Sequence, residues 1–327
     1  FTACSKLRFM LKCKTKMPCT LTVFQRDAEK NKITRRRQFG TKQMKTIENK
    51  TFGEERALYN LTDAKVLNCK FQGEEDGESA LKECRDFTVG NCEFYLRYPL
   101  WHGKNFSVTN SCFTETCRAA MWYDSGAEFT DCKFNGIKAF RECNDVTLEN
   151  CSANSPELGW KSCGITLKGG TYVSEYFMFD SRGVTVSNIE FIGKYSFQYT
   201  QDVEIRDSVL DTKDAFWHAK NVTVKNCVVK GEYLGWYSQN LTLINCKIIG
   251  TQPLCYCKNL TLVNCTTENC DLAFEYSDVN AEIIGSILSV KNPVSGQITA
   301  DEIGETILEN SVQSTNCKIL IRKNPQK

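Results

Sequence analysis

The side chains able to do chemistry in this chain recur at regular intervals. Asp214 and Glu232 offer two carboxyls, His218 an imidazole that changes charge near neutral pH, and Arg141 a permanent cation. Glu157, Glu175, Asp180, His102 and Arg118 are further acids, proton carriers and anion stabilisers in comparable positions. Two carboxyls roughly 5 to 9.5 Å apart are what glycoside hydrolysis requires. Asp214 and Glu232 lie one repeat apart with an offset of one position, so neighbouring rungs of a repeat structure would bring them near that range. The same stretches carry Trp101, Trp122, Trp160, Phe179, Trp217 and Trp236, with Tyr199 and Tyr237 beside them. Rings at rung spacing suit a repeating ligand. There is no Ser-His-Asp spacing, phosphate loop or nucleotide fingerprint.

These residues are placed by an internal repeat. The blocks KNVTVKNCVVKG (220–231), QNLTLINCKIIG (239–250) and KNLTLVNCTTEN (258–269) are copies of one another. Taking the Asn before each Cys as a marker gives Asp131, Asn150, Gly169, Asn188, Asp207, Asn226, Asn245 and Asn264, each 19 residues after the last. Asn68, Asn91, Asn110 and Gly285 extend the series with small insertions, making twelve coils.

Four and two positions before the marker stand pairs such as Val222/Val224 and Leu241/Leu243, the alternation of a strand with one buried face. One and three positions after it stand Cys69/Phe71 and Cys92/Phe94, a second such strand. Five before it the residue is nearly always Asn, Asp or Gly, which tolerate left-handed turns. A third strand fits the remainder, and 19 residues leave no room for a helix. The expectation is an all-β, right-handed parallel β-helix over 57–285, a solenoid about 58 Å long at the usual strand spacing. Residues 44–56 are read as an N-terminal cap and 286–327 as a C-terminal cap or tail.

All five tryptophans fall nine positions before the marker, in a column that also holds Arg141, Phe179, Gln198 and Lys82. Columns nine, ten and eleven before the marker are all largely apolar, and a regular strand cannot turn three consecutive residues inward. Two readings stand. In one, the tryptophans form a partly exposed platform beside Tyr98, Tyr176, Tyr195 and Tyr233 on one side and His102, Tyr123, Tyr199, His218, Tyr237 and Tyr256 on the other. In the other, they are an internal aromatic stack.

Composition narrows the partners. Residues 1–43 hold twelve Lys/Arg against two Asp/Glu, leaving 29 basic and 37 acidic residues in 44–327. The repeat body is acidic, which excludes an electrostatic footprint for nucleic acid. Met44 opens MKTIEN, which reads as a natural start, so the basic extension 1–43 is set aside and its place in the native product left open. No stretch approaches the ~18 apolar residues that span a bilayer. Nineteen Cys without a recognisable signal peptide point to free thiols and a cytoplasmic protein. The column Cys69, Cys92, Cys132, Cys151, Cys227, Cys246 and Cys265 places one thiol per rung on a line, which suits packing rather than tetrahedral metal ligation. No metal or cofactor is expected. The Asn-x-Thr/Ser triplets at Asn60, Asn105, Asn221, Asn240 and Asn259 are mostly generated by the repeat itself.

The segments KTIENKTFGEERALY (45–59), RYPLWH (97–102), SEYFMF (174–179), KDAFWHAKN (213–221) and GEYLGWY (231–237) resemble an uncharacterised bacterial family, domain of unknown function 3737. The resemblance runs from about Met44 into the C-terminal tail and implies a pectate-lyase-like right-handed β-helix. It brings no catalytic residues with it. Polysaccharide lyases of that shape use Asp clusters for calcium, and no such cluster spans adjacent rungs here. The functional expectation is binding or processing of an oligo- or polysaccharide on the aromatic and acidic face, as a glycoside hydrolase or lyase-like protein if it is an enzyme. The alternative is a non-enzymatic scaffold docking a protein partner there. Oligomeric state is left open.

Overall fold

In a computed structural model, which describes residues 44–74 and 77–322, the chain winds as a parallel β-helix. The basic extension 1–43 lies outside the described residues. The principal strand of each coil stacks in register on that of the next. Lys220–Lys225 pairs with Gln239–Ile244 so that Val222 meets Leu241 and Val224 meets Leu243, all buried. Thr223 and Thr242, the residues between, face outward, as the alternation requires.

Fifteen such strands, from Lys45–Glu48 to Lys318–Ile321, make about fourteen turns, against the twelve coils read from the marker. The difference lies at the ends. Lys45–Glu48 pairs in register with Thr62–Leu67, and Asn49 stands 19 residues before Asn68, so 44–56 belongs to the first turn of the winding. Beyond Gly285 the winding continues with altered step. Asp278 pairs with Ser295 and Gln297 with Lys318, steps of 17 and 21 residues, while Ser286–Lys291 pairs with Glu302–Ile307. Hydrogen bonding between rungs tolerates turns of different length, whereas a fixed-period alignment does not.

The interior is built from columns of like side chains. Phe71, Phe94, Phe113 and Phe134 stack at 4.6, 4.6 and 5.0 Å between ring centroids with planes within 5°. The seven column cysteines are free and at most 2% exposed, and each thiol lies close to carbonyls of its own or the preceding rung, as Cys246 Sγ does to Ile244 O at 3.3 Å and Val224 O at 3.5 Å. At the marker turn, Asn264, Asn245 and Asn226 each donate a side-chain amide to the Asn or Asp one rung below, at 2.9, 3.2 and 3.1 Å. All three adopt left-handed φ near +52°. A second ladder joins Asn259, Asn240, Asn221 and Asp202. With Asn105, whose amide donates to Asp86 Oδ1 at 3.4 Å, four of the Asn-x-Thr/Ser asparagines are tied into the wall by their amides.

The third segment departs from expectation. It forms only two-residue strands such as Leu100–Trp101, Met121–Trp122 and Phe140–Arg141, and elsewhere it is a run of turns. Alternate residues there are left-handed: Asp214, Phe216 and His218 have φ of 54°, 62° and 56°, and Tyr233, Gly235 and Tyr237 repeat the pattern. This alternation bends the backbone so that two consecutive residues, for example Ala215 and Phe216, both reach the core. The three apolar columns are thus resolved as two inward and one at the surface.

Candidate functional site

The column left at the surface is the tryptophan column. Trp101, Trp122, Phe179, Trp217 and Trp236 are half-buried, and Trp160 is 9% exposed. Trp217 and Trp236 are parallel within 4° at 5.4 Å, and each indole N–H donates to a backbone carbonyl of the next rung, Tyr233 O at 2.6 Å and Gln252 O at 2.8 Å. The indole N–H groups of Trp101, Trp122 and Trp160 are buried without a partner. The polar members of the column continue it. The ammonium of Lys82 lies 4.2 Å from the Trp101 ring, and the Arg141 guanidinium sits 5.8 Å from Trp122 and 5.3 Å from Trp160.

One position further along, aromatic rings stand free of the wall. Tyr199, His218, Tyr237 and Tyr256 stack rung upon rung at 5.0, 5.0 and 4.8 Å, with planes within 15° of parallel, and Tyr276 follows at 5.9 Å. Tyr199 and Tyr237 are 41% and 43% exposed and His218 is exposed as well. A shorter ladder pairs His102 with Tyr123 at 5.1 Å. Burial within the ladder lowers the tendency of His218 to take a proton and raises the Tyr256 phenol to about 12. Repeat arithmetic places Tyr256 beside the platform, but Tyr276 escapes it because its coil carries an inserted residue, 20 rather than 19 after Tyr256.

The acidic candidates divide into two places. Asp214 is 8% exposed, its Oδ1 is buried without a hydrogen-bond partner, and burial raises its carboxyl to about 6. Its backbone N–H donates to Glu232 O at 3.0 Å, which puts the two acids on adjacent rungs. Glu232 is exposed and its Oε2 accepts from Lys213 Nζ at 2.8 Å. His218 shares the coil of Asp214. Arg141 does not join them. It lies four coils away, roughly 19 Å along the axis at ordinary strand spacing. There Glu157 Oε2 at 3.3 Å, Glu142 Oε1 at 3.4 Å and the two indoles occupy it. His102 is two further coils from that point, and Arg118 and Glu175 are exposed outside the ladders. Among the described residues no three His, Cys, Asp or Glu side chains converge as a metal site would need, and no helix is long and apolar enough to cross a membrane.

No curated protein matches the chain in sequence. Among solved structures, PfbA, a surface adhesin of Streptococcus pneumoniae, aligns over 71% of this chain and 72% of its own at 12% identity and a TM-score of 0.39. A tailspike protein of E. coli bacteriophage HK620 aligns over 84% and 72% at 10% identity and 0.39. A mannuronan C-5 epimerase A-module of Azotobacter vinelandii aligns over 86% and 90% at 10% identity and 0.31. Each is similar to this chain in its winding alone. The sequence profile described as "Protein of unknown function (DUF3737)" matches residues 45–320, almost the whole solenoid, and the chain belongs to that family.

Proposed function

We propose that this protein binds a linear oligo- or polysaccharide along the third face of its solenoid, through the edges of the aromatic ladder rather than the faces of its rings. The continuous stack from Tyr199 to Tyr256 carries this reading. His218 and Tyr237 each have a parallel ring on both sides, so a sugar ring has no face to slide against. What remains outward is a row of phenol hydroxyls and imidazole nitrogens, one per rung, each able to donate or accept. A chain of hydroxylated rings lying parallel to the axis meets a hydrogen-bonding group at every rung, and its apolar C–H patches can rest on the half-buried Trp217 and Trp236. Many weak contacts in series give such binding its affinity.

Affinity for soluble glucan, xylan, mannan and polygalacturonan, measured by calorimetry or on a glycan array, tests the reading. Joint His218→Ala and Tyr237→Ala substitution should weaken binding to the preferred polymer at least about tenfold, some 1.4 kcal/mol. Ile192→Ala, an exposed side chain on another face, should leave it unchanged. Absence of binding to every polymer would sink the proposal, and a protein captured on the ladder and lost in the same double variant would favour the scaffold.

A further inference from the structure

We propose that Asp214 and Glu232 act as an acid and base pair on this face and hydrolyse a glycosidic bond of the bound chain, an inference that rests on the saccharide reading above. Three observations place the pair. The column twelve before the marker runs Tyr176, Tyr195, Asp214, Tyr233. Tyr176 and Tyr195 stack at 4.9 Å, and Asp214 takes the next place in the column without a ring, with the Lys213 ammonium 5.6 Å from the Tyr233 ring beyond it.

Secondly, the Asp214 backbone is fully tied while its carboxyl is not. The N–H donates to Glu232 O at 3.0 Å and the C=O accepts from Gln198 Nε2 at 2.8 Å, yet Oδ1 is buried with no donor. A buried acid without a donor is a costly arrangement for structure alone.

Thirdly, the two acids sit in opposite surroundings. Burial favours the protonated form of Asp214, reinforced by the charge of Glu232 and opposed by Lys213 and Lys194. Glu232 is at the surface, its Oε2 2.8 Å from the Lys213 ammonium. Of two neighbouring carboxyls, the one whose surroundings favour the protonated form suits the acid and the exposed one the base.

In the step itself, protonated Asp214 gives its proton to the glycosidic oxygen as the bond from that oxygen to the anomeric carbon breaks. The bonding pair stays with the oxygen, which leaves as an alcohol. Water attacks the anomeric carbon and gives its proton to Glu232. One water is consumed per bond cleaved, and proton exchange with solvent restores both carboxyls.

The test incubates the full chain with the four polymers named above and measures both binding and new reducing ends. Wild type should release reducing ends from the polymer it binds, with kcat/KM falling as pH rises through about 6, where Asp214 loses its proton. Asp214→Asn should keep binding and an unchanged melting temperature but lose turnover by about a hundred- to ten-thousand-fold. Glu232→Gln, a surface change that cannot unfold the core, should lose about a hundredfold or more. A polymer bound but never cleaved overturns the hydrolytic role and leaves the saccharide reading standing. Undiminished turnover in either variant overturns the assignment of the pair. Binding to no polymer overturns both readings together.

Discussion

At Asp124 a single residue breaks the chemistry of its own column. Seven positions before the marker, or eight in the coil of Ser277 with its inserted residue, the repeat sets small side chains into a corner of the core, and Ser162, Ser181 and Ser277 there accept the amide N–H of the rung below at 3.2, 3.0 and 2.9 Å. Asp124 does the same for Gly103 with Oδ1, but it is fully buried and its Oδ2 has no partner. Burial holds the acid well above its ordinary value of 3.8, so the folded chain keeps a proton that the unfolded chain releases. The stability this confers is complete below about pH 4 and declines as pH rises toward the folded value. Asp124→Ser should therefore stabilise the protein at neutral pH by about 1 to 3 kcal/mol and flatten that decline. Denaturant unfolding at about pH 5 and about pH 8 checks this, and a variant less stable than wild type at the higher pH would refute it. Asp214 carries the same kind of unsatisfied oxygen beside the aromatic face. That contrast separates the two buried acids of similar chemistry: one is closed in the core, the other borders the aromatic face.

Turns, more than strands, decide what each element presents. The strands are dictated by alternation and need little else. The marker turn depends on asparagine, which accepts left-handed φ and also links rungs through its amide. Asn245 donates to Asn226 and accepts from Asn264, with φ at 53°. Asn245→Ala loses both hydrogen bonds and adds left-handed strain, an expected cost of about 2 to 3 kcal/mol. Asn245→Gly relieves the strain and should recover about 1 kcal/mol of that loss. Thermal melting of the two variants decides it, since equal losses would mean that backbone strain contributes nothing. The third segment uses the same left-handed geometry at alternate positions. That is how Ala215 and Phe216 both turn inward and leave Trp217 at the surface. A two-fold strand pattern cannot express this, so the sequence left the orientation of the tryptophans open.

Across the whole solenoid each rung touches only the rungs before and after it, apart from side chains long enough to reach a second. Stability in such a stack is a sum of nearest-neighbour interfaces, and end rungs have only one. Hydrogen exchange should show the slowest amides in the central rungs, from Asn144–Asn154 to Gln239–Ile244. Protection should decay toward Lys45–Glu48 and Lys318–Ile321, and uniform protection from end to end would contradict the additive picture. The period of 19, the inward columns, the thiol packing and the family were all legible in the sequence, because burial and turn geometry repeat with the chain and leave the same residue type at the same place. The end turns were not: at the first turn the step of 19 from Asn49 to Asn68 is kept but Lys50 stands where the repeat sets Cys, and beyond Gly285 the steps of 17 and 21 and the loss of the marker pair hide turns whose hydrogen bonds between rungs persist. The site divides in the same way. Which residues share a column follows from counting. Only the tertiary structure decided that the tyrosine rings cover one another's faces, that Asp214 is buried while Glu232 beside it is exposed, and that Arg141 is held four coils away between two indoles. Those outcomes depend on backbone twist and on what lies one rung above and below, and neither is written in a column of residue types.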